Sequence, residues 1–392
     1  MIPLTYAQEL LDLVERHAPG RTTGDRFVVE RSFRITGVIE AEPLRLALGD
    51  VVARHEALRS VREPGGSRVE PPGPVSLDGY ADPFPASDLP ALRARLAGDR
   101  LDLAAHHSAA DPWSVAVIVR DVATAYHARL RGDRLSPKVM QYAEIAADDR
   151  SPQWQRRIAE VLPSWRTRLA GLDAVDRPGC GPVTGAYAEL PFRLGDGLWQ
   201  AVVSSARRAR STPFTVLLSA YAATLYPAGL QAEALLPVVT PGRIPSEWDT
   251  VGFLLNVLTM RVPIPASDDP PELARRLDAA CRQAYADDIP LVPVLGEVPE
   301  LLTVLAGTRA APAFRFVARP AMTPPIVQPL WTARPAGPET PPSVVLGCPL
   351  LFTLHPGGSG SVTYDVGAYS ADRVGELVSA YLRRLPSFTG AA

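Results

Sequence analysis

The 392-residue chain is nearly devoid of lysine: Lys138 stands alone, and the other 39 of its 40 basic side chains are arginine. Cysteine is scarce as well. Cys180, Cys281 and Cys348 lie far apart with no C-x-x-C pair, which excludes a dense disulfide framework and a Cys-rich zinc site and leaves reduced, structural thiols. No excess of one charge exists, since 40 basic residues face 42 acidic ones for a net charge of -2. Strong nucleic-acid binding needs a basic excess or stripe, so no nucleic-acid partner is expected. No run of about 18 apolar residues is present, which argues against a membrane span. The opening Met1-Ile2-Pro3-Leu4-Thr5 lacks the basic and apolar regions of a signal peptide, and a cytoplasmic location is the expectation.

Phosphate-cradling loops are missing too. No G-x-x-x-x-G-K-[ST] occurs, and Gly179-Cys180-Gly181 runs into Pro182, which spoils a dinucleotide-binding turn. The run Gly357-Gly358-Ser359-Gly360-Ser361 lacks the closing glycine of a nucleophile elbow.

Proline is abundant, with 41 residues, about twice the usual share of roughly 5%. It gathers in connections and predicts rigid loops. A hydrophobic content of 46% fills sizeable cores, and the length suits two domains or three. Apolar spacing predicts a short helix over Leu4–Val14 and a second from Pro43 to about Arg59, with Leu44, Leu48, Val51, Val52, His55 and Leu58 on one face. Phe27–Ile35 and Leu101–His107 read as strands. Residues 61–90 read as loop. Asp111-Pro112 has the form of an N-cap followed by a first-turn proline, opening a helix that buries Val115, Ile118, Val122 and Tyr126. Another helix is expected over Pro152–Leu169, and 171–185 is the best linker.

Beyond the linker the order repeats loosely. A strand is expected at Ala186–Phe192 and helices at Gly197–Arg210 and after Thr212-Pro213. Extended segments follow at Leu235–Val239 and Val251–Val262, then a proline-rich loop over 319–344. A hairpin over Leu350–Leu354 and Ser361–Tyr364 precedes a last helix at Ala371–Leu385. The interleaving favours an α/β (α+β) class with mixed sheets.

Six histidines exist and two are adjacent, His106 and His107. Neighbouring side chains on a strand point to opposite faces, so one imidazole can face a cavity while the other packs inward. Asp111 lies four residues beyond, as N-cap, as partner of an ion pair, or as both. No third metal ligand lies close by, so no metal is expected. The segment His106-His107-Ser108-Ala109-Ala110-Asp111-Pro112-Trp113-Ser114 resembles the H-H-x-x-x-D-G-x-S signature of condensation domains from nonribosomal peptide synthetases. That superfamily includes free-standing acyltransferases related in fold to chloramphenicol acetyltransferase. Further segments agree in order: Leu4-Thr5-Tyr6-Ala7-Gln8, Arg54-His55-Glu56-Ala57-Leu58-Arg59, Tyr142-Ala143-Glu144 with Trp165, and Pro237-Val238-Val239-Thr240-Pro241-Gly242-Arg243. Val251-Gly252-Phe253-Leu254-Leu255-Asn256, followed by Arg261, and Tyr364-Asp365 complete the set.

The resemblance implies two acetyltransferase-like halves in a V with a tunnel between them, residues 1–172 carrying the motif and 173–392 forming the second. It implies that His107 acts as general base or positions the attacking amine, an imidazole of pKa about 6.5 being mostly basic at pH 7. His106 and Asp111 complete the motif. Asp111 would pair with an arginine, Arg243 first and Arg59 second, and Ser114 would help fix the loop. Trp113 and Asn256 are candidates for the tunnel wall, with core packing and loop bonding as their alternatives. His55 is expected to be a packed structural histidine.

The implied activity joins an acyl or peptidyl thioester, held on a carrier protein's phosphopantetheine arm, to an amine or a hydroxyl. No cofactor would be bound by the protein itself. Two rivals remain: a non-catalytic module recruiting a carrier protein or tailoring enzyme, and the same fold performing cyclisation, dehydration or epimerisation. Proline at 112 replaces the motif glycine and removes a backbone N–H that could serve an oxyanion; equally, it simply begins a helix well.

Overall fold

Four of the described helices open on an acceptor side chain followed by proline. Asp111, Ser151, Thr212 and Asp269 each accept a hydrogen bond from the third helical N–H, and Pro112, Pro152, Pro213 and Pro270 follow them at the first helical position. Proline suits that position because its missing N–H would have no partner there and its φ is already helical. Part of the proline excess therefore lies in helix starts. Ser370 caps the last helix in the same way.

The computed structural model describes residues 2–390 apart from 18, 26, 64, 79–83, 137–138, 173–180, 229, 231, 307–309, 318–325, 328–330 and 337–346, with backbone alone for 326–327 and 331–336. Along the chain come α1 (Tyr6–His17), β1 (Val28–Gly37), α2 (Ala41–Arg54), a 3-10 turn (Glu56–Arg59), β2 (Ser60–Glu63), β3 (Gly66–Val69), β4 (Leu92–Ala97), β5 (Arg100–His106), α3 (Pro112–Leu130), α4 (Tyr142–Asp148) and α5 (Pro152–Arg168). There follow β6 (Tyr187–Arg193), α6 (Asp196–Arg208), α7 (Pro213–Leu225), β7 (Glu233–Thr240), β8 (Asn256–Pro263), α8 (Pro270–Ala286), α9 (Leu291–Glu297) and α10 (Leu301–Leu305). Last are β9 (Ala313–Phe316), β10 (Ile326–Val327), β11 (Trp331–Ala336), β12 (Leu350–Leu354), β13 (Ser359–Asp365) and α11 (Ala371–Arg384).

Two units result, each a sheet covered by helices. The first holds the sheet β10-β11-β1-β5-β4, its neighbours antiparallel. Helices α2 and α3 bury Leu44, Leu48, Val51, Ile118, Val122 and Tyr126 with Phe33, Leu101 and Leu103 of the sheet. The second holds the mixed sheet β6-β13-β12-β9-β7-β8, in which β9 runs parallel to both β12 and β7. Tyr221 of α7 fills its core against Phe314 and Phe352, with ring centroids 5.0 and 5.3 Å away.

The units do not follow a single cut at residue 172. Residues 157–172 count with the second unit, whereas Pro241–Leu255 and Arg319–Val345 count with the first. The reason is pairing: β11 lies antiparallel to β1, Ser32 opposite Ala336 through Gly37 opposite Trp331. The proline-rich stretch 319–344 thus contributes two strands and is not only loop. Residues 61–90 also hold structure, since β2 and β3 form a hairpin with Gly65 at φ +82° near its tip. Helix α2 stops at Arg54, and His55 takes an extended conformation (φ -112°, ψ 103°). The central part of the expected linker, with Cys180, and Lys138 lie outside the described residues.

Candidate active site

β5 ends at His106, so His107 stands in the turn just beyond the strand. Both rings are buried, 0% and 4% exposed. Each is held by a backbone carbonyl, through opposite nitrogens. His107 Nδ1 lies 2.8 Å from the carbonyl of Ala110. A carbonyl only accepts, so Nδ1 carries the proton and the lone pair of the neutral ring sits on Nε2. In His106 it is Nε2 that faces a carbonyl, that of Gly24 at 3.1 Å, while Nδ1 receives the Ser108 N–H and lies 2.7 Å from the hydroxyl of Ser108. Burial, followed by the proximity of His107 and Arg62, pushes His106 down to about 4 against the opposing pull of the Gly24 carbonyl. His106 is thereby a neutral structural imidazole.

The ring of His107 is fixed from two sides. Phe27 stacks on it at 4.7 Å between centroids, and Phe253 meets it edge-on at 5.4 Å. Its backbone N–H donates to the carbonyl of Phe27, just before β1. Phe27 also stands edge-on to His106.

Both carboxylate oxygens of Asp111 are engaged in holding the loop. Oδ1 accepts the N–H of Ser114, capping α3, and Oδ2 accepts Arg243 Nη1 at 2.6 Å and the N–H of Leu254 at 3.1 Å. Both members of the Asp111–Arg243 pair are 0% exposed. A charge pair this deep needs its remaining bonding capacity filled. Most of it is: Arg243 donates to the hydroxyl of Ser114, to the carbonyl of Gly252 and to that of Pro241, while its Nε has no partner among the described residues. Ser114 closes the ring of bonds, its hydroxyl donating to the Gly252 carbonyl and accepting the Gly252 N–H. Arg243 is thus the partner of Asp111. Arg59 is not: it donates to the carbonyl of Glu70 at 2.6 Å, because the 3-10 turn leads its side chain toward the β2–β3 hairpin.

The other signature segments are divided between the two units. Thr5 and Gln8 cap α1 reciprocally. Tyr142, the tyrosine of Tyr142-Ala143-Glu144, donates to the carbonyl of Phe253 and lies 3.1 Å from the hydroxyl of Thr5. Its ring occupies the space a Cβ on residue 252 would need, 2.6 Å away, so Gly252 admits no side chain without rearrangement. His55 is buried against Asp121 at 2.9 Å, and Arg54 reaches the same carboxylate. Trp113 packs in the core with its Nε1–H on the Trp248 carbonyl. Asn256 belongs to the second unit, where its amide donates to Asp288 and to the carbonyl of Ile289; this is loop bonding. Asp365 of Tyr364-Asp365 gathers the N–H groups of Thr184, Gly185 and Gly367.

Residues that no signature pointed to are Gly24 and Phe27, which meet the histidines through backbone and ring contacts, and Glu15, whose carboxylate binds the loop before them. A cavity of about 400 Å³ lies in the first unit, its wall including Gln8, Thr23, Arg62, Ser87, Ser108 and Ala109. Among the described residues no group of three His, Cys, Asp or Glu side chains is placed to hold a metal ion, and no helix is long and apolar enough to cross a membrane.

This buried histidine pair, its loop tied by Asp111 to the distant Arg243, lies in the segment that resembles the condensation-domain signature. The chain belongs to that family: the Condensation domain matches residues 79–299, more than half its length. It is 32% identical over 337 residues to the probable non-canonical nonribosomal peptide synthetase CymA of Salinispora arenicola, and 31% identical over 303 residues to phosphinothricin tripeptide synthetase PhsC of Streptomyces viridochromogenes. The matches cover 74% and 67% of this chain but only 4% and 28% of those synthetases.

Among solved structures it is similar to SgcC5 from Streptomyces globisporus, determined with (R)-(-)-1-(2-naphthyl)-1,2-ethanediol and sucrose, at a TM-score of 0.81 and 28% identity over 99% of this chain and 98% of that one. The X-domain from teicoplanin biosynthesis, solved in complex with OxyB, shares the fold at a TM-score of 0.79 and 21% identity, covering 99% of this chain and 93% of that one.

Proposed function

We propose that this chain is a condensation-type acyltransferase of natural-product biosynthesis, joining a carrier-bound acyl or peptidyl thioester to an amine or a hydroxyl. The observation that carries the reading is the Ala110 carbonyl 2.8 Å from His107 Nδ1, which selects the Nδ1–H tautomer. With its Nδ1–H on the Ala110 carbonyl, the ring presents Nε2 as a base. As the nucleophile attacks the thioester carbonyl, the C–N or C–O bond forms and Nε2 takes the nucleophile's proton. The C–S bond then breaks, and the proton passes to the departing phosphopantetheine thiolate, leaving an amide or ester and a free thiol. Asp111, with both oxygens engaged by Ser114, Arg243 and Leu254, holds the loop and is no relay to His107. The diol bound by SgcC5 keeps a hydroxyl acceptor beside an amine. The partners are acyl or peptidyl carrier proteins and a small acceptor.

Pro112 favours a second reading. It removes one backbone donor from the start of α3, beside the motif, where an oxyanion would find one in a glycine-bearing relative. A module that recruits a carrier protein or tailoring enzyme has no use for that donor.

The two readings part on one substitution. In a host carrying His107→Ala in place of the native gene, acyl transfer falls on the order of 10²–10⁴-fold, and mass spectrometry shows a product lost and its acyl or acceptor precursor accumulating. If the product persists with His107→Ala and disappears only on deletion of the gene, the protein acts by binding.

A further inference from the structure

We infer that Glu15 is a positioning residue for the histidine pair, its carboxylate clasping the loop 20–24 that seats both rings. The two oxygens of Glu15 receive five hydrogen bonds. Oε1 accepts the Gly20 N–H at 2.5 Å and the Thr23 hydroxyl at 2.9 Å. Oε2 accepts the Thr22 N–H at 2.8 Å, the Thr22 hydroxyl at 2.9 Å and the Thr23 N–H at 3.2 Å. Burial works against the charge, but the bonds from Gly20, Thr22 and Thr23 outweigh it and hold the carboxyl down at about 2. At neutral pH Glu15 is therefore an anion and accepts at each of these bonds.

What the clasp gathers is the seat of the motif. The loop is wound so closely that a Cβ on Gly24 would lie 2.3 Å from the Gly20 carbonyl oxygen. The Gly24 carbonyl then faces His106 Nε2 and also receives the Phe27 N–H. Phe27 in turn supplies the carbonyl that takes the His107 N–H and the ring that His107 stacks on. Thr23 accepts the Ala86 N–H, tying in the 84–91 segment. Glu15 touches neither imidazole; it acts through the backbone of Gly24 and Phe27. The bearing of this clasp on acyl transfer rests on the function proposed above, whereas its bearing on the His106 ring does not.

The test reads the ring itself. Long-range ¹H–¹⁵N NMR of histidine-labelled protein reports each ring's tautomer, and a pH series its midpoint. In the wild type, His106 shows the Nε2–H tautomer and stays neutral to about pH 4, with Arg62 and His107 as the charged and titratable neighbours. Glu15→Gln places an amide N–H₂ against donors and opens the clasp. The expected result is a mixed His106 tautomer and a midpoint moved below that of the wild type, because the upward pull of the Gly24 carbonyl is weakened, while His55, seated on Asp121, is unchanged. An unaltered His106 tautomer and midpoint in folded Glu15→Gln protein overturns the proposal. Should that variant not fold, Thr23→Val, which deletes one hydroxyl donor, is read by the same two observables. Loss of transfer in Glu15→Gln with an unmoved His106 would likewise count against it, and a shifted His106 with no transfer activity in the wild type would leave the clasp standing and remove the acyltransfer reading.

Discussion

An imidazole in a protein is told which nitrogen to protonate by what each nitrogen faces. Here two backbone carbonyls issue opposite instructions, to Nε2 of His106 and to Nδ1 of His107. His106 is pushed down to about 4 in the folded protein, from 6.5 when unfolded, so the unfolded chain binds the extra proton more readily. Its contribution is fully present above pH 6.5 and is lost as pH falls toward 4, on the order of 3 kcal/mol across that window. His106→Gln keeps an N–H for the Gly24 carbonyl and cannot be protonated. Denaturant titrations at pH 7, 6, 5 and 4 are expected to show the wild type losing roughly 3 kcal/mol relative to this variant; parallel curves would remove the assignment.

Helix starts are where this sequence speaks most plainly. An acceptor side chain followed by proline marks a helix start with a mechanism, and α3 and α7 begin where Asp111-Pro112 and Thr212-Pro213 place them. Thr212→Ala is expected to cost about 1 kcal/mol, and Thr212→Ser, which keeps the acceptor, less than about 0.5 kcal/mol; the shift in the denaturation midpoint at constant slope measures both. The same signal stands at Asp269-Pro270, where α8 follows. Other elements were closed to a local reading. β2 is only four residues long and β4 carries two arginines among its six, and pairing with β3 and β5 makes strands of them. Apolar periodicity carried α2 through His55, whereas the bond to Asp121, 66 residues away, accompanies its end. In the candidate site, His106, His107, Asp111, Ser114 and Arg243 were legible because they stand in fixed motifs. Glu15 and Phe27 were not, because their contacts run through a loop whose path no spacing encodes.

For the whole molecule, the order of the chain and the membership of the units disagree. The first unit borrows Arg243, the Leu254 N–H and β11 from sequence that comes only after the Arg157–Thr240 stretch of the second. A fragment 1–172 would leave Asp111 without its partner and β1 with one open edge. Breaking a buried pair costs roughly 3–5 kcal/mol, a large part of the roughly 5–15 kcal/mol that a domain has in total. The fragment is expected to show no cooperative thermal transition by circular dichroism, in contrast to the full chain; a sharp transition would contradict the pairing of β1 with β11.

The same arrangement sets a clock. A ribosome adds roughly 5–20 residues per second. The 132 residues separating Asp111 from Arg243 then take about 7–26 seconds to appear. Ala333, opposite Ile35, follows it by about 300 residues, or roughly 15–60 seconds. Throughout that interval one side of β1 offers its N–H and C=O groups to any strand that passes, the condition under which sheets pair with the wrong chain. The first unit thus waits for its last strand until most of the second has been made, and an open strand edge is exposed for that whole interval.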